Sequence, residues 1–87
     1  MQSFKAKIID PIGMHARPTS LVVGEAANYP YKITIKCNGK EANLKSIMSV
    51  MSLAIKKDSE IEIIADSNDD IGLNKIKEVL INNKLIK

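Results

Sequence analysis

A chain of 87 residues is long enough for one domain with a modest core and too short for a two-domain enzyme with a deep cleft. Its hydrophobic content of 45% and charged content of 26% are ordinary for a soluble globular protein. The net charge of +3 comes from scattered lysines, and two Tyr, one Phe and no Trp provide no platform for stacking bases, so nucleic-acid binding is weakly supported. We expect a single domain over residues 1–87.

The cysteine count and the N-terminus bear on the compartment. Cys37 is the only cysteine, which excludes an internal disulfide and fits a reducing environment. The first seven residues lack the apolar core of a signal peptide, and no apolar run approaches the ~20 residues that span a bilayer. We therefore expect a cytoplasmic protein and a monomer, with Cys37 in the core and with no metal or cofactor.

The N-terminal part of the chain predicts a strand, a loop and a helix. Phe4, Ala6 and Ile8 alternate with polar residues, which is the period of a half-buried strand. The Asp-Pro-Ile-Gly segment at 10–13 ends that strand. Residues 19–27 have apolar side chains at helical spacing, which places the two residues before Pro18 in the first helical turn.

A hairpin follows in the middle of the chain. Residues 31–37 alternate strictly between apolar and polar side chains and predict the second strand. Asn38-Gly39 is the strongest short hairpin signal because both turn positions favour positive φ. Residues 40–44 are then the antiparallel partner strand.

The C-terminal part predicts a helix, a strand and a final helix. Ser46 has the right chemistry to cap a short helix from Ile47 to about Ala54. Alternation over residues 61–65 predicts the fourth strand. Asn68, Asp69 or Asp70 can cap the last helix, whose core face is Leu73, Ile76, Val79 and Leu80. The order β-α-β-β-α-β-α predicts an α+β fold, in which helices cover one side of an antiparallel sheet.

The segment Gly13-Met14-His15-Ala16-Arg17-Pro18 contains the only histidine and the only arginine of the chain. Proline suits a first helical turn, where unpaired N–H groups and the positive end of the helix dipole attract anions. A guanidinium fits a phosphate as a planar fork, and neutral imidazole can attack phosphorus. A lone histidine at a helix start is commonly a surface or capping residue, but this residue order favours phosphoryl chemistry.

These residues resemble the active-site motif of the HPr family, the histidine-containing phosphocarriers of the bacterial phosphoenolpyruvate-dependent sugar phosphotransferase system. Residues 43–53, Asn-Leu-Lys-Ser-Ile-Met-Ser-Val-Met-Ser-Leu, resemble the regulatory serine region of that family in its Gram-positive form. The resemblance covers the whole chain. It implies an open-faced β-sandwich with strand order 1-4-2-3 and three helices on one side.

The resemblance also implies roles for individual residues. His15 would accept a phosphoryl group on Nδ1 from the phosphoenolpyruvate-dependent protein kinase of the system and pass it to sugar-specific acceptor domains. Arg17 and the backbone N–H groups of Ala16 and Arg17 would hold the phosphoryl oxygens, with Pro18 at the helix start. Such a protein is a substrate of kinases and not a stand-alone catalyst.

The helix after Ser46 is more apolar than a short helix on one side of a small sheet can bury. Some of its side chains should therefore be exposed, although a fully buried set is the alternative. The resemblance makes Ile47, Met48 and Met51 a docking patch for partner proteins. It makes Ser46 a target of a serine kinase and phosphatase, whereas from the residues alone Ser46 is simply an N-cap. A phosphate on Ser46 would hinder docking by its charge and its desolvation cost.

Some positions depart from the family pattern. Ser49, Ala54 and Ser67 stand where many members have glycine, which bears on the bulk of the docking patch and on the conformation of the loop at Ser67. The C-terminus ends in lysine where several members are acidic. An alternative function is a small regulatory or nucleic-acid-binding module on the same fold, with His15 unused.

Overall fold

All seven predicted elements form, and they occur in the predicted order. A computed structural model describes every residue from Met1 to Lys87. The elements are β1 (Gln2–Lys7), α1 (Ala16–Ala26), β2 (Ile33–Cys37), β3 (Lys40–Asn43), α2 (Ile47–Met51), β4 (Glu60–Ala65) and α3 (Ile71–Asn82). The strands form one antiparallel sheet in the order β1-β4-β2-β3. The α+β open-faced sandwich and its strand order are confirmed.

The open face of the sheet carries a row of charges of alternating sign. Lys5 is opposite Glu62, Glu62 is opposite Lys36, and Lys36 is opposite Glu41, so the row crosses all four strands. The Nζ atom of Lys36 lies 3.9 Å from Oε2 of Glu41. Opposite charges on facing strands stabilise a sheet by about 0.2–1 kcal/mol per pair. This face is therefore solvated, and the helices cover the other one.

The hydrophobic core lies between the covered face of the sheet and the helices. Eighteen buried apolar residues form one cluster, and Cys37, 4% exposed, is among them as predicted. The helices supply the residues that pack on the strands: Val22 and Ala26 from α1, Val50 from α2, and Leu73, Ile76 and Leu80 from α3. Val79, predicted for the same face of α3, is only partly buried.

The hairpin between β2 and β3 turns as its sequence predicts. Asn38 has φ of 54° and Gly39 has φ of 79°, so both central residues are left-handed. Two successive left-handed residues define the type I′ turn, whose twist matches that of the flanking strands. No heavy atom lies within 4 Å of a Cβ placed on Gly39, so glycine is used there for its conformation alone.

The second helix is shorter than predicted. It ends at Met51 instead of about Ala54, and Ala54 has a left-handed φ of 50°. Val50 and Ile55 are both buried, at 1% and 5% exposure. In a continuous helix two side chains five residues apart would point in different directions, so the chain leaves the helix to bury both.

Other boundaries shift by a few residues. The strand β1 ends at Lys7 and leaves Ile8 beyond it, α1 ends at Ala26, and β3 ends at Asn43. The strand β2 begins at Ile33 because Tyr31 instead stacks on Tyr29, with ring centroids 5.8 Å apart.

The loop before α3 closes through its own polar side chains. Asp70 occupies the N-cap position without a side-chain hydrogen bond, whereas Oδ1 of Asp69 accepts from the N–H of Ile71 at 3.2 Å. The hydroxyl of Ser67 accepts from the N–H of Asp69 at 3.2 Å. Ser67 is not among the residues with positive φ, so the loop forms without the glycine found in many family members.

Candidate functional site

His15 is the N-cap residue of α1. Its backbone is extended, with φ of −82° and ψ of 171°, and its carbonyl accepts the N–H of Thr19 at 3.1 Å. No side chain caps this helix. The imidazole is 37% exposed. The structure therefore presents an accessible imidazole beside a helix N-terminus whose donors are free.

The donors around His15 belong to the first turn of α1. The backbone N–H groups of Ala16 and Arg17 have no acceptor, since no helical carbonyl precedes them and no side chain replaces one. The guanidinium of Arg17 is exposed and forms no ion pair within the chain. Pro18 has no N–H to leave unpaired and is buried against the core. Backbone donors, a free guanidinium and the helix dipole all favour an anion at this point.

A carboxylate that the sequence did not single out completes the site. Oδ2 of Asp10 lies 3.7 Å from Nε2 of His15, and the Asp10 side chain is only 17% exposed. Oδ1 of the same carboxylate accepts from the N–H of Ile12 at 2.8 Å. An aspartate before a Pro-x-Gly segment is a common start of such a side-chain turn, and that was the signal available in the sequence.

The loop before His15 is fixed to the segment that follows α2. Gly13 has φ of 83°, and a Cβ placed on it would overlap the carbonyl oxygen of Ile55 and lie 2.8 Å from Cα of Lys56. The N–H of Met14 donates to the same Ile55 carbonyl at 3.0 Å, and the Met14 side chain is buried. The backbone that holds His15 is therefore pressed against the end of the α2 segment, with no space for a side chain at Gly13.

Residues 2–82 match a protein family described as PTS HPr component phosphorylation site. The phosphocarrier protein HPr of Mycoplasma capricolum is 48% identical over 88 residues, which cover 100% of this chain and 99% of its own. The chain belongs to the HPr family. A solved Mycoplasma histidine-containing phosphocarrier protein has a TM-score of 0.96 at 47% identity, covering 99% of each chain. HPr of Bacillus anthracis has a TM-score of 0.80 at 34% identity, covering 90% of this chain and 94% of its own.

Membership in the HPr family defines the general role. HPr proteins are phosphocarriers of the phosphotransferase system, so this chain carries phosphoryl groups and is not a stand-alone catalyst. Its partners are other components of that system. None of its three helices has the length and apolar character of a membrane span.

The second segment that resembled HPr lies on α2. Ser46 is the N-cap of that helix, and its hydroxyl accepts from the N–H of Ser49 at 3.3 Å, which confirms the predicted cap. Met48 is 80% exposed and Met51 38% exposed, while Ile47 is partly buried. The prediction that α2 cannot bury all its apolar side chains is therefore confirmed.

The two segments lie side by side. Helices α1 and α2 pack against each other, so the helix that begins after His15 lies next to α2. Two further apolar side chains are exposed, Ile12 at 71% in the loop before His15 and Leu21 at 50% on α1. Ile12 lies in the break at residues 10–13, and Leu21 lies within the apolar helical spacing of residues 19–27, so periodicity gave no sign of their exposure.

A tyrosine pair lies beyond the C-terminal end of α1. The Tyr29 hydroxyl donates to Oε2 of Glu25 at 2.7 Å, and this bond, with burial, raises the pKa of Tyr29 to about 12. Burial is the main cause of the raised pKa of Tyr31, and the charge of Asp69 adds to it. Both rings cover Gly72, where a Cβ would overlap the Tyr31 hydroxyl. This cluster packs α3 against the segment before β2 and has no contact with His15.

Proposed function

We propose that His15 is the phosphoryl acceptor of this phosphocarrier and that Nδ1 is the reacting nitrogen. The observation that carries the proposal is the position of the only histidine at an uncapped helix N-terminus, with its imidazole 37% exposed. Nε2 is the ring nitrogen that lies near the Asp10 carboxylate, which leaves Nδ1 for phosphorus. A phosphohistidine must be reached by a donor and then by an acceptor, and partial exposure permits both encounters.

The phosphoryl oxygens are held, in this proposal, by Arg17 and by the N–H groups of Ala16 and Arg17. These groups have no competing partner within the chain, so binding a phosphoryl group requires no internal bond to break. Phosphoryl transfer depends on alignment and on stabilising charge on the equatorial oxygens. Backbone donors fixed by the first turn of a helix provide the alignment, and the guanidinium provides charge in a planar fork.

We further propose that the donor is the phosphoenolpyruvate-dependent kinase of the system and that the acceptors are its sugar-specific domains. The docking patch is formed by Ile47, Met48 and Met51, beside the His15 helix. Exposed methionines adapt to several partner surfaces, which suits a carrier that must bind a donor and an acceptor in turn. The cytoplasmic location expected from the sequence stays a prediction.

Ser46 is the proposed regulatory residue. Its hydroxyl is at the N-cap of α2, one residue before Ile47. A phosphate at this position would place negative charge against the docking patch, so an apolar partner surface would have to bury or crowd that charge on binding. Phosphorylation by a serine kinase would then weaken acceptance at His15 without contact with the imidazole.

The test is phosphoryl acceptance from labelled phosphoenolpyruvate and the upstream kinase. The wild-type chain should take up label that is acid-labile and alkali-stable, and His15→Ala should take up none. Circular dichroism and thermal unfolding of His15→Ala should match the wild type, since the helix has no side-chain cap to lose. Acid-labile label on a folded His15→Ala chain would refute the assignment. A folded wild-type chain that takes no label would favour a regulatory module with His15 unused.

A further inference from the structure

The two oxygens of the Asp10 carboxylate have different contacts. Oδ1 accepts the N–H of Ile12 and closes the turn that leads to His15, while the backbone carbonyl of Asp10 accepts the N–H of Gly13 at 2.9 Å. Oδ2 has no partner in the turn and lies 3.7 Å from Nε2 of His15. No other carboxylate lies within ion-pair distance of the imidazole. One side chain thus shapes the loop and also faces the ring.

The direction of this contact matters because the two ring nitrogens differ in role. A carboxylate accepts a hydrogen bond and cannot donate one when ionised, so a carboxylate near Nε2 favours the tautomer with its proton on Nε2. In that tautomer the lone pair is on Nδ1. The distance of 3.7 Å is longer than a hydrogen bond, and such catalytic contacts are often long in the unliganded protein and shorten when the reacting group binds.

We propose that Asp10 is a positioning residue for phosphoryl transfer: it holds the Nε2 proton of His15 and stabilises the positive charge that the ring acquires when Nδ1 bonds to phosphorus. The inference rests on the proposed function, because it assumes that His15 is the acceptor. It adds a residue to the site and a reason for the choice of nitrogen.

The step balances without moving a proton. The lone pair of Nδ1 forms the N–P bond, and the bond from phosphorus to the donor breaks with its electron pair left on the donor. The ring keeps its Nε2 proton and becomes cationic, next to the Asp10 carboxylate. In the onward step the N–P bond breaks, its electron pair returns to Nδ1, and the neutral Nε2–H ring is restored. Because the ring keeps its Nε2 proton, it leaves as neutral imidazole and not as an imidazolate, so holding that proton serves both steps.

Two substitutions at Asp10 separate positioning from loop structure. Asp10→Asn keeps a carbonyl oxygen for the Ile12 N–H, so the turn survives, but it directs an amide NH₂ group toward Nε2. That donor favours the opposite tautomer, with the proton on Nδ1, where the lone pair is needed. Asp10→Ala removes both the turn acceptor and the carboxylate. Asp66→Asn is the matched control, because it also removes one carboxylate but far from His15. Asp66 follows β4 at the end of the sheet where Ala65 pairs with Gln2, whereas Asp10 follows the opposite end of β1.

The decisive readout is the tautomer of His15, from long-range ¹H–¹⁵N correlation spectra of the unphosphorylated protein at about pH 8. The wild type and Asp66→Asn should show the proton on Nε2, and Asp10→Asn should shift population toward Nδ1–H. The initial rate of labelling should fall roughly tenfold to a hundredfold in Asp10→Asn, by analogy with the loss seen when the carboxylate that orients a metal-ligating histidine is removed. Asp10→Ala should be less thermally stable than Asp10→Asn.

Each unfavourable outcome refutes a different statement. A wild-type ring with its proton on Nδ1 overturns the inference without any variant. Asp10→Asn with the wild-type tautomer and rate shows that Asp10 acts only through the loop. The tautomer measurement does not involve phosphoryl transfer, so label retained in His15→Ala would refute the proposed function while leaving the Asp10–His15 contact as measured.

Discussion

Replacing Gly13 by alanine should lower the free energy of unfolding more than any other small substitution near His15. Two costs combine at this position. A φ of 83° costs an L-residue about 1–2 kcal/mol, and the new Cβ would overlap the Ile55 carbonyl oxygen and lie 2.8 Å from Cα of Lys56. Moving that carbonyl away breaks the bond it accepts from Met14, which contributes about 1 kcal/mol. We expect a net loss of about 2–4 kcal/mol, after the smaller entropy gain from removing a glycine in the unfolded chain.

The other glycines of the chain isolate the separate terms. Gly39 has φ of 79° and open space around its Cβ position, so Gly39→Ala should lose only about 0.5–1 kcal/mol. Gly24 is inside α1 with ordinary φ and nothing within 4 Å, so Gly24→Ala should gain roughly 0.5–1 kcal/mol from helix propensity. The difference between Gly13→Ala and Gly39→Ala therefore measures the close approach of the His15 loop to the residues after α2.

Thermal unfolding followed by circular dichroism is a sufficient assay. For a domain of this size 1 kcal/mol shifts Tm by about 4–8 °C, so a loss of about 2–4 kcal/mol should lower the Tm of Gly13→Ala by roughly 8–32 °C. Urea unfolding at 25 °C gives the same comparison as free energies. If Gly13→Ala loses no more than Gly39→Ala, the backbone contact with Ile55 does not exist as described, and the reasoning fails.

Four further predictions concern the site and its surroundings. Arg17→Lys keeps the charge but loses the planar fork, so the labelling rate should fall roughly tenfold to a hundredfold, the kinetic equivalent of about 1.5–3 kcal/mol, and a wild-type rate would show that the guanidinium is unused. Ser46→Asp should keep or slightly raise Tm, since a carboxylate suits an N-cap, yet raise KM with the upstream kinase; an unchanged KM would place the docking patch elsewhere. Ala54→Gly should raise stability by about 0.5–1 kcal/mol because it relieves a left-handed φ of 50°, and an unchanged urea midpoint would count against that strain. Tyr29 has a pKa raised from 10.0 to about 12, so its contribution to stability is complete below pH 10 and is lost as pH rises toward 12; ultraviolet titration should show a lower pKa in Glu25→Gln.

The sequence was most informative where one side-chain pattern dictates one local structure. Strict alternation fixes which face of a strand is buried, and a one-residue shift would expose every core residue, so the strands were predicted well. Asn38-Gly39 permits one favoured hairpin turn, and that turn forms. The order of strands in the sheet came from the family resemblance, because alternation does not specify which strands pair.

The errors arose where tertiary contacts override local preference. Helix propensity continues through Ala54, but burial of Ile55 ends α2 three residues earlier. Tyr31 continues the alternation of β2, but its ring stacks on Tyr29 instead. Asp10 faces His15 only because the loop between them turns back, which the residue types alone do not indicate.

The two segments that resemble HPr, residues 13–18 and residues 43–53, are held together by a direct backbone contact just beyond the second segment. Met14, directly before His15, donates its N–H to Ile55, which lies four residues beyond the last residue of α2. Gly13 lets the two backbones meet without an intervening side chain. If the proposed patch is used, a partner that docks on Met48 and Met51 would bind an element joined to the His15 loop, and alignment at the patch would help to position the imidazole. Phosphoryl transfer is sensitive to alignment, so under the proposed function this backbone contact would let a small, exposed site supply it.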